Sequence, residues 1–545
     1  MIEASERCNA ALNATHQAAR FPRRAVVGRS WMGLLAALVM ACIVVGNATA
    51  STFSVDSTAD ADDSNTGDGL CNDGAGHCTL RAAIQQANAS GGANTISVPA
   101  GTYLLSVGTL TVTNVTSNLA IVGTGAAGTA IIDGQSTLRI FDLLGGTITL
   151  TNLVIQNGKF TISNPGDFGS CAAAGIFAGG AATINIKSST IQNNALVNGV
   201  GAGFCIVTGT VNLAQSTVRN NTSTYGGSGA RIQDSGVLNV TNSTFNGNTA
   251  SDLNASGAAI STRSTVNFTN STLSGNSLAR YGSGIAVYNG TTTLRNVTIA
   301  GNGAAPQLLV SGAGASAILE STIISNPNGG SNCNTEGGGV ITSNGHNLDD
   351  GSSCGLAQAT DITGNAMLGP LQDNGGPTAT RALLSGSAAI DQGSNPGNLA
   401  NDQRGVGYAR VVGAAADIGA FEAGAAPPTL DVDLSITASK YDALTDGLMV
   451  LRYLVGLSGS SLTSGALGGT ATRTDPVAVK AYLDGIRTAL DIDDNGASEP
   501  LTDGLLILRY LFGLRGSALI ADAVDPLGKR TTAEAIETYI QSLMP

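Results

Sequence analysis

The sequence predicts a mainly β fold, a right-handed parallel β-helix followed by a small α-helical duplicated domain, and three observations carry that prediction. A short phrase recurs with a period in the twenties between about residues 150 and 330. The apolar residues around it alternate with period two, and one helix-forming segment occurs twice near the C-terminus. A period of that size marks a solenoid, and period two within each repeat marks strands rather than helices. Composition agrees: charged residues are 12% and aromatic residues 4%, with 73 glycines in 545 residues, so Ser, Thr, Asn and Gly take the places that charge occupies in ordinary enzymes.

In chain order, residues 1–50 read as a signal peptide. Arg20, Arg23, Arg24 and Arg29 precede or border an apolar run from Trp31 to Val45, and Ala48-Thr49-Ala50 has the small-residue pattern of a signal-peptidase site. Cleavage after Ala50 is expected, so the protein is exported, either secreted or held at the cell surface. The run is too short to span a bilayer and no spanning stretch follows, so the mature chain has no transmembrane segment. Arg23-Arg24-Ala25-Val26-Val27 loosely fits a twin-arginine signal, and ordinary Sec export explains the segment equally well. Beyond it lie six cysteines, Cys71, Cys78, Cys171, Cys205, Cys333 and Cys354. An even count in an exported chain predicts disulfides, and sequence-local pairing is the simplest of the fifteen connectivities. A net charge of −12 leaves no basic surface to offset phosphates, so no nucleic-acid partner is expected.

Residues 51–105 read as an N-terminal cap and first coil. Thr79 to Ala87 forms a short amphipathic helix, with Thr79 as N-cap and Leu80, Ala83, Ile84 and Ala87 on one face. A solenoid end exposes unpaired strand edges, which such a helix covers. Residues 106–365 carry the β-helix. Its phrase reads STIQNN from Ser189, STVRNN from Ser216, STFNGN from Ser243, STLSGN from Ser271, VTIAGN from Val297 and STIISN from Ser321. The central apolar residues Ile191, Val218, Phe245, Leu273, Ile299 and Ile323 lie 27, 27, 28, 26 and 24 residues apart. Five residues earlier stand Ile186, Leu213, Val240, Phe268, Leu294 and Ile318, which are expected to stack inward. Asn194, Asn221, Asn248, Asn276, Asn302 and Asn326 recur at the expected bend, where Asn tolerates left-handed backbone.

The phrase CTLRAAIQQAN from Cys78, with the ISVPAGTY that follows, resembles the CSLREA-type N-terminal segment of bacterial secreted β-helix proteins. It departs at Ala82, where that family has Glu. LGPLQDNGGPTATRALLSGSAAIDQG from Leu368, DQRG from Asp402 and DIGAFE from Asp417 resemble the choice-of-anchor Q segment that closes such proteins, here residues 366–424. The resemblance implies surface export and a pectin-lyase-like fold, with no common reaction.

After a linker at 425–429, marked by Pro427-Pro428, residues 430–545 hold the duplication. TDGLMVLRYLVGLSG from Thr445 returns as TDGLLILRYLFGLRG from Thr502. Asp491, Asp493 and Asn495 offer oxygen ligands at positions one, three and five of a loop with Gly496 at six, the first half of an EF-hand calcium loop. Ala497 and Glu499 follow within the loop, and Asp503 lies one place beyond the usual closing carboxylate. Asp431, Asp433, Asp442 and Asp446 form a longer first copy without the glycine, for which weaker calcium binding is expected. The pair resembles a dockerin-like module, which implies calcium as cofactor and a cohesin-like or surface-anchor protein as partner.

An enzymatic site has little material. Only His77 and His346 remain beyond the signal, and from 151 to 330 the carboxylates are Asp167, Asp234, Asp252 and Glu320, on different coils. Hydrolysis of a glycosidic bond needs two carboxylates about one bond. Aligning Ile206, Ile232, Ile260 and Val287 brings Arg231, Asp234, Arg263 and Tyr288 to one side, the weak catalytic candidates, although Asp234-Ser235-Gly236 also reads as a plain turn. The expectation is a surface or secreted protein for adhesion or for polysaccharide or matrix binding. The alternative is a polysaccharide lyase or glycoside hydrolase acting on pectin-like or other acidic polysaccharides.

Overall fold

The computed structural model describes residues 50–113, 118–163, 171–252, 255, 257–277, 281–325, 331–424, 428–435 and 440–544. Residues 1–49 of the expected signal peptide, Asp167, Asn326 and Pro427 lie outside them. No helix among the described residues is long and apolar enough to cross a membrane.

Three long parallel faces and a short fourth one of four strands make the solenoid. The coil that begins at Thr183 shows how it is built: strands Thr183–Lys187 and Thr190–Gln192, a short Ala195–Val197, then Phe204–Ile206, after which the chain returns to pair as Thr210–Ala214. Every pairing between coils is parallel, so Ile184 stacks on Val211 and Ile186 on Leu213, while Phe204 stacks on Ala230. The face running through Leu110–Val112 and Phe204–Ile206 counts nine strands, and the other two long faces merge into a nineteen-stranded sheet where Thr265–Ser274 and Gly290–Ala300 continue through the corner. Inward residues alternate with outward ones as the pleat requires. They form one core from Phe53 to Cys354, with Phe245 against Phe268 edge to face at 5.7 Å.

The recurring phrase has a physical reason. Its asparagine points inward and is fully buried. Asn194 Nδ2 donates to Asn221 Oδ1 at 2.9 Å, Asn221 to Asn248 at 3.0 Å, Asn248 to Asn276 at 2.8 Å and Asn276 to Asn302 at 2.8 Å. Its serine makes a second ladder, in which the backbone N–H of Ser189, Ser216 and Ser243 donates to the hydroxyl of Ser216, Ser243 and Ser271 in turn. The bend expected at the ladder asparagines falls one residue earlier, because their side chains are committed inward. The left-handed residues are Asn193, Asn220, Gly247, Gly275 and Gly301. An outward amide ladder, Asn185, Asn212, Asn239 and Asn267, runs along an uncovered face.

Two registers differ from expectation. Ile299 pairs with Ile324 rather than Ile323, and Leu294 with Leu319 rather than Ile318, so the last coil that carries the phrase is shifted by one residue. Ile323 turns instead toward the closing segment, packing with Ala389 and Ile418. Ile232 pairs with Thr262, which places Ile260 opposite Ala230.

Helix Leu80–Ser90 covers the first coil, with Thr79 Oγ1 accepting from Ala82 N at 3.1 Å. Ala82 is fully buried, and the neighbouring Arg81 anchors the cap through Asp60 at 2.7 Å. The closing segment does more than end the solenoid. It runs back along the flank: Gln403 Nε2 donates to Thr244 Oγ1 and its Oε1 accepts from Thr272, while Ala420 N donates to Thr298 Oγ1. Inside it, Arg404 pairs with Asp402 at 2.6 Å, both buried. The three sequence-local disulfides form: Cys71–Cys78, Cys171–Cys205 and Cys333–Cys354. The duplicated domain has its own core, in which Leu430, Met449, Leu506, Tyr510 and Ile536 take part. Its two repeated helices, Leu448–Leu454 and Leu505–Leu511, meet through Gly447 and Gly504, where a Cβ would come within 3.1 Å of Leu508 and Leu451 respectively.

The inward ladder is expected to stabilise more than the outward one. Asn248→Ala orphans buried partners on both sides and should cost about 2–4 kcal/mol, whereas Asn239→Ala should cost under about 1 kcal/mol. Denaturant midpoints of the two variants check the difference.

Candidate metal centres

The duplicated domain gathers carboxylates in two equivalent places. Asp491, Asp493 and Asp503 form one group and Asp431, Asp433 and Asp446 the other. All six are buried, and within each trio the facing oxygens lie within 4.8 Å of one another. Backbone N–H groups shape each loop. In the second copy Asn495 N donates to both Asp491 and Asp493, Gly496 N donates to Asp491, and Ile492 N and Glu499 N donate to the two oxygens of Asp503. The first copy repeats the plan, with Ser435 N on Asp431 and Asp433, and Val432 N and Asp442 N on Asp446.

The loops are clamped by residues that the motif reading missed. Arg530 lies 3.8 Å over the Tyr539 ring and donates to the carbonyls of Ile492 and Asp491, and Arg473 lies 3.7 Å over Tyr482 and donates to that of Val432. These pairs recur at the same 57-residue offset as the repeated helices, which is the signal that could have found them.

Of the sequence-predicted ligands, Asp503 stands at the closing position in the trio, and Glu499 is exposed with its side chain outside it. Asn495 borders the trio, its Oδ1 accepting from Ala497 N, and Ala497 is exposed. Asp442 caps the following helix through Leu444 N at 2.8 Å and is not one of the gathered carboxylates. Among the described residues no ion pair reaches any of the six gathered carboxylates; Lys529 and Arg530 approach Asp494 instead.

Buried like charges at this spacing are unfavourable unless protons or a cation neutralise them. Burial pushes the Asp446 carboxyl up to about 7 and the Asp503 carboxyl up to about 6, and raises Asp431 as well. The geometry fits a metal ion. A calcium ion takes oxygens at about 2.3–2.6 Å, so oxygens that share one lie no more than about 5.2 Å apart, and each trio meets that bound. In the first loop Ser435 Oγ is buried without a partner, a further oxygen free to serve.

The solenoid's catalytic candidates do not form an open site. Arg231 is 4% exposed, with Nη1 on Ser261 Oγ at 2.5 Å and the Cys171–Cys205 bridge beside it. Burial, then Arg263, lowers its guanidinium to about 10. Asp234 occupies a left-handed turn position, and the corrected register places Arg263 one step beyond the Ile232–Thr262 pair.

No protein-family model and no curated protein matches the chain. Among solved structures, the pectate lyase Pel9A is similar at 12% identity over 68% of this chain and 96% of its own length, with a TM-score of 0.34. An endo-xylogalacturonan hydrolase from Aspergillus tubingensis is similar at 15% identity over 57% and 99%, with a TM-score of 0.24. Agreement this loose carries nothing about a site, and the β-helix assignment rests on the chain's own strand pairing.

The raised carboxyls set a pH dependence. Each binds its proton more tightly in the folded than in the unfolded state, so without a cation their stabilisation is complete below about pH 4. It is lost as the pH rises through about 6 and about 7. Melting of the domain in chelator should therefore fall across that window, and excess calcium should remove the fall. Asp503→Asn removes the charge and keeps one of the two acceptor oxygens. At pH 8 it should melt no lower than the parent in chelator, and lower than the parent in calcium.

Proposed function

We propose that this is an exported β-helix protein for adhesion or for polysaccharide or matrix binding, attached through a calcium-ordered, dockerin-like C-terminal module. The observation that carries the reading is the duplicated trio of buried carboxylates, none of which has an ion-pair partner among the described residues. Calcium supplies the balancing charge, ties each loop to the first turn of its helix, and so orders the two helices that would meet a cohesin-like or surface-anchor partner. The solenoid complements it with a long outward face of neutral hydroxyl and amide groups, suited to hydrogen bonding with hydroxylated polymers. Three disulfides suit an oxidising compartment outside the cytoplasm.

The alternative, a polysaccharide lyase or glycoside hydrolase acting on acidic polysaccharides, needs a base that the substrate can reach. Arg231, its best candidate on the solenoid, is buried.

Calcium at a hundredfold excess over its dissociation constant should stabilise the module by about 2.7 kcal/mol per occupied site, seen as a rise in its melting temperature. Asp491→Ala should remove most of the rise. The full chain should be retained on insoluble polysaccharide without releasing unsaturated or reducing sugar. Sugar release would overturn the non-catalytic reading, and a calcium response that survives Asp491→Ala would overturn the assigned site.

A further inference from the structure

The last coils and the closing segment enclose a cavity of about 620 Å³ that neither the metal centres nor the outward ladder uses. Ser325, Asn332 and Asp350 line it from the coils, and Leu368 and Arg381 from the closing segment. Its volume is that of a small-ligand site.

Both walls are firmly built. Asp350 accepts from Ser325 Oγ at 2.5 Å and from Asn332 Nδ2 at 2.6 Å. The Cys333–Cys354 disulfide joins the segments that carry Asn332 and Asp350, and Ser353 Oγ accepts from the backbone of Asn332 and Cys333. Opposite, Arg381 is held by Nε on Ser274 Oγ at 2.7 Å and Nη1 on the Gly369 carbonyl at 2.9 Å.

One strong donor remains unused on this built surface. Arg381 Nη2 donates to nothing among the described residues, and no carboxylate pairs with the guanidinium. A guanidinium edge bonds most strongly to an anionic acceptor. One ligand class fits this lining. A carboxylate satisfies Arg381, hydroxyl groups satisfy the remaining lone pairs of Asp350, and pyranose C–H faces suit the apolar atoms of Met367 and Leu368, which also line the space. A neutral sugar leaves Nη2 without an anion, and phosphate offers no C–H face.

We propose that this cavity binds a carboxylate-bearing saccharide, with the carboxylate on Arg381 and hydroxyls on Asp350. The inference rests on the polysaccharide-binding reading only in taking acidic glycans as what the chain meets. Calorimetric titration of the full chain with digalacturonate, at one fixed calcium concentration, tests it, with galactobiose and inorganic phosphate as comparison ligands. Digalacturonate should bind at least about tenfold more tightly than either. Arg381→Gln should lose about tenfold or more, by the same charge-assisted bonds. Thr363→Trp, on the exposed rim of the cavity, should abolish binding without changing the melting temperature. No digalacturonate binding, equal binding of galactobiose or phosphate, or binding undiminished in Thr363→Trp would each overturn the proposal. Should Arg381→Gln fail to fold, the rim variant decides alone. If polymer retention persists in a chain that does not bind digalacturonate, the cavity assignment falls and the matrix reading stands. If digalacturonate binds and the polymer is not retained, the cavity assignment stands and the matrix reading falls.

Discussion

An amide turned into a protein interior has to find partners, and in this solenoid the partner is the same residue one coil away. Asn194, Asn221, Asn248 and Asn276 each meet the next asparagine at the same point of the coil, so the ladder pins the register of every turn that it crosses. Hydrophobic stacking alone tolerates exchange between apolar residues of similar size. A buried amide ladder does not tolerate a slip, because one residue of slip leaves donors and acceptors unpaired in the dry core. Where the coils shorten near the C-terminal end, the ladder stops on Gln307, which accepts from Asn302 Nδ2 at 2.7 Å. Beyond that point the register shifts by one.

The closing segment uses this regularity. Thr244, Thr272 and Thr298 occupy one outward row on successive coils, and the segment bonds to all three through residues more than a hundred positions later in the chain. A strip that hydrogen-bonds to several coils resists their separation along the solenoid axis, which the nearest-neighbour contacts of a repeat protein otherwise govern alone. Its buried Arg404–Asp402 pair, stacked against Tyr408 and Phe421, keeps the strip in one shape.

The C-terminal module follows the opposite electrostatic logic. The solenoid interior holds neutral polar groups that satisfy one another, whereas each module loop buries three carboxylates that do not. Such a group is a poor choice for unconditional stability and a good one for stability that depends on a cation. The arginine and tyrosine clamps hold the loop backbones, so the carboxylates are already gathered for that cation.

The solenoid class, its period, the cap helix and the duplicated acidic loops were legible in the sequence, because each repeats a side-chain requirement that the backbone imposes locally. The one-residue shift of the last coil that carries the phrase was not legible. Ile318 and Leu319 are both apolar, as are Ile323 and Ile324, so the local pattern offers two registers and only pairing with the neighbouring coil selects one. The closing carboxylate was likewise ambiguous between Glu499 and Asp503 until the helix turn placed Asp503 with Asp491 and Asp493. The burial of Arg231, the flank position of the closing segment and the cavity beside Arg381 belong to the tertiary structure alone. They arise between residues far apart in the chain, and no local periodicity records which distant surfaces will meet.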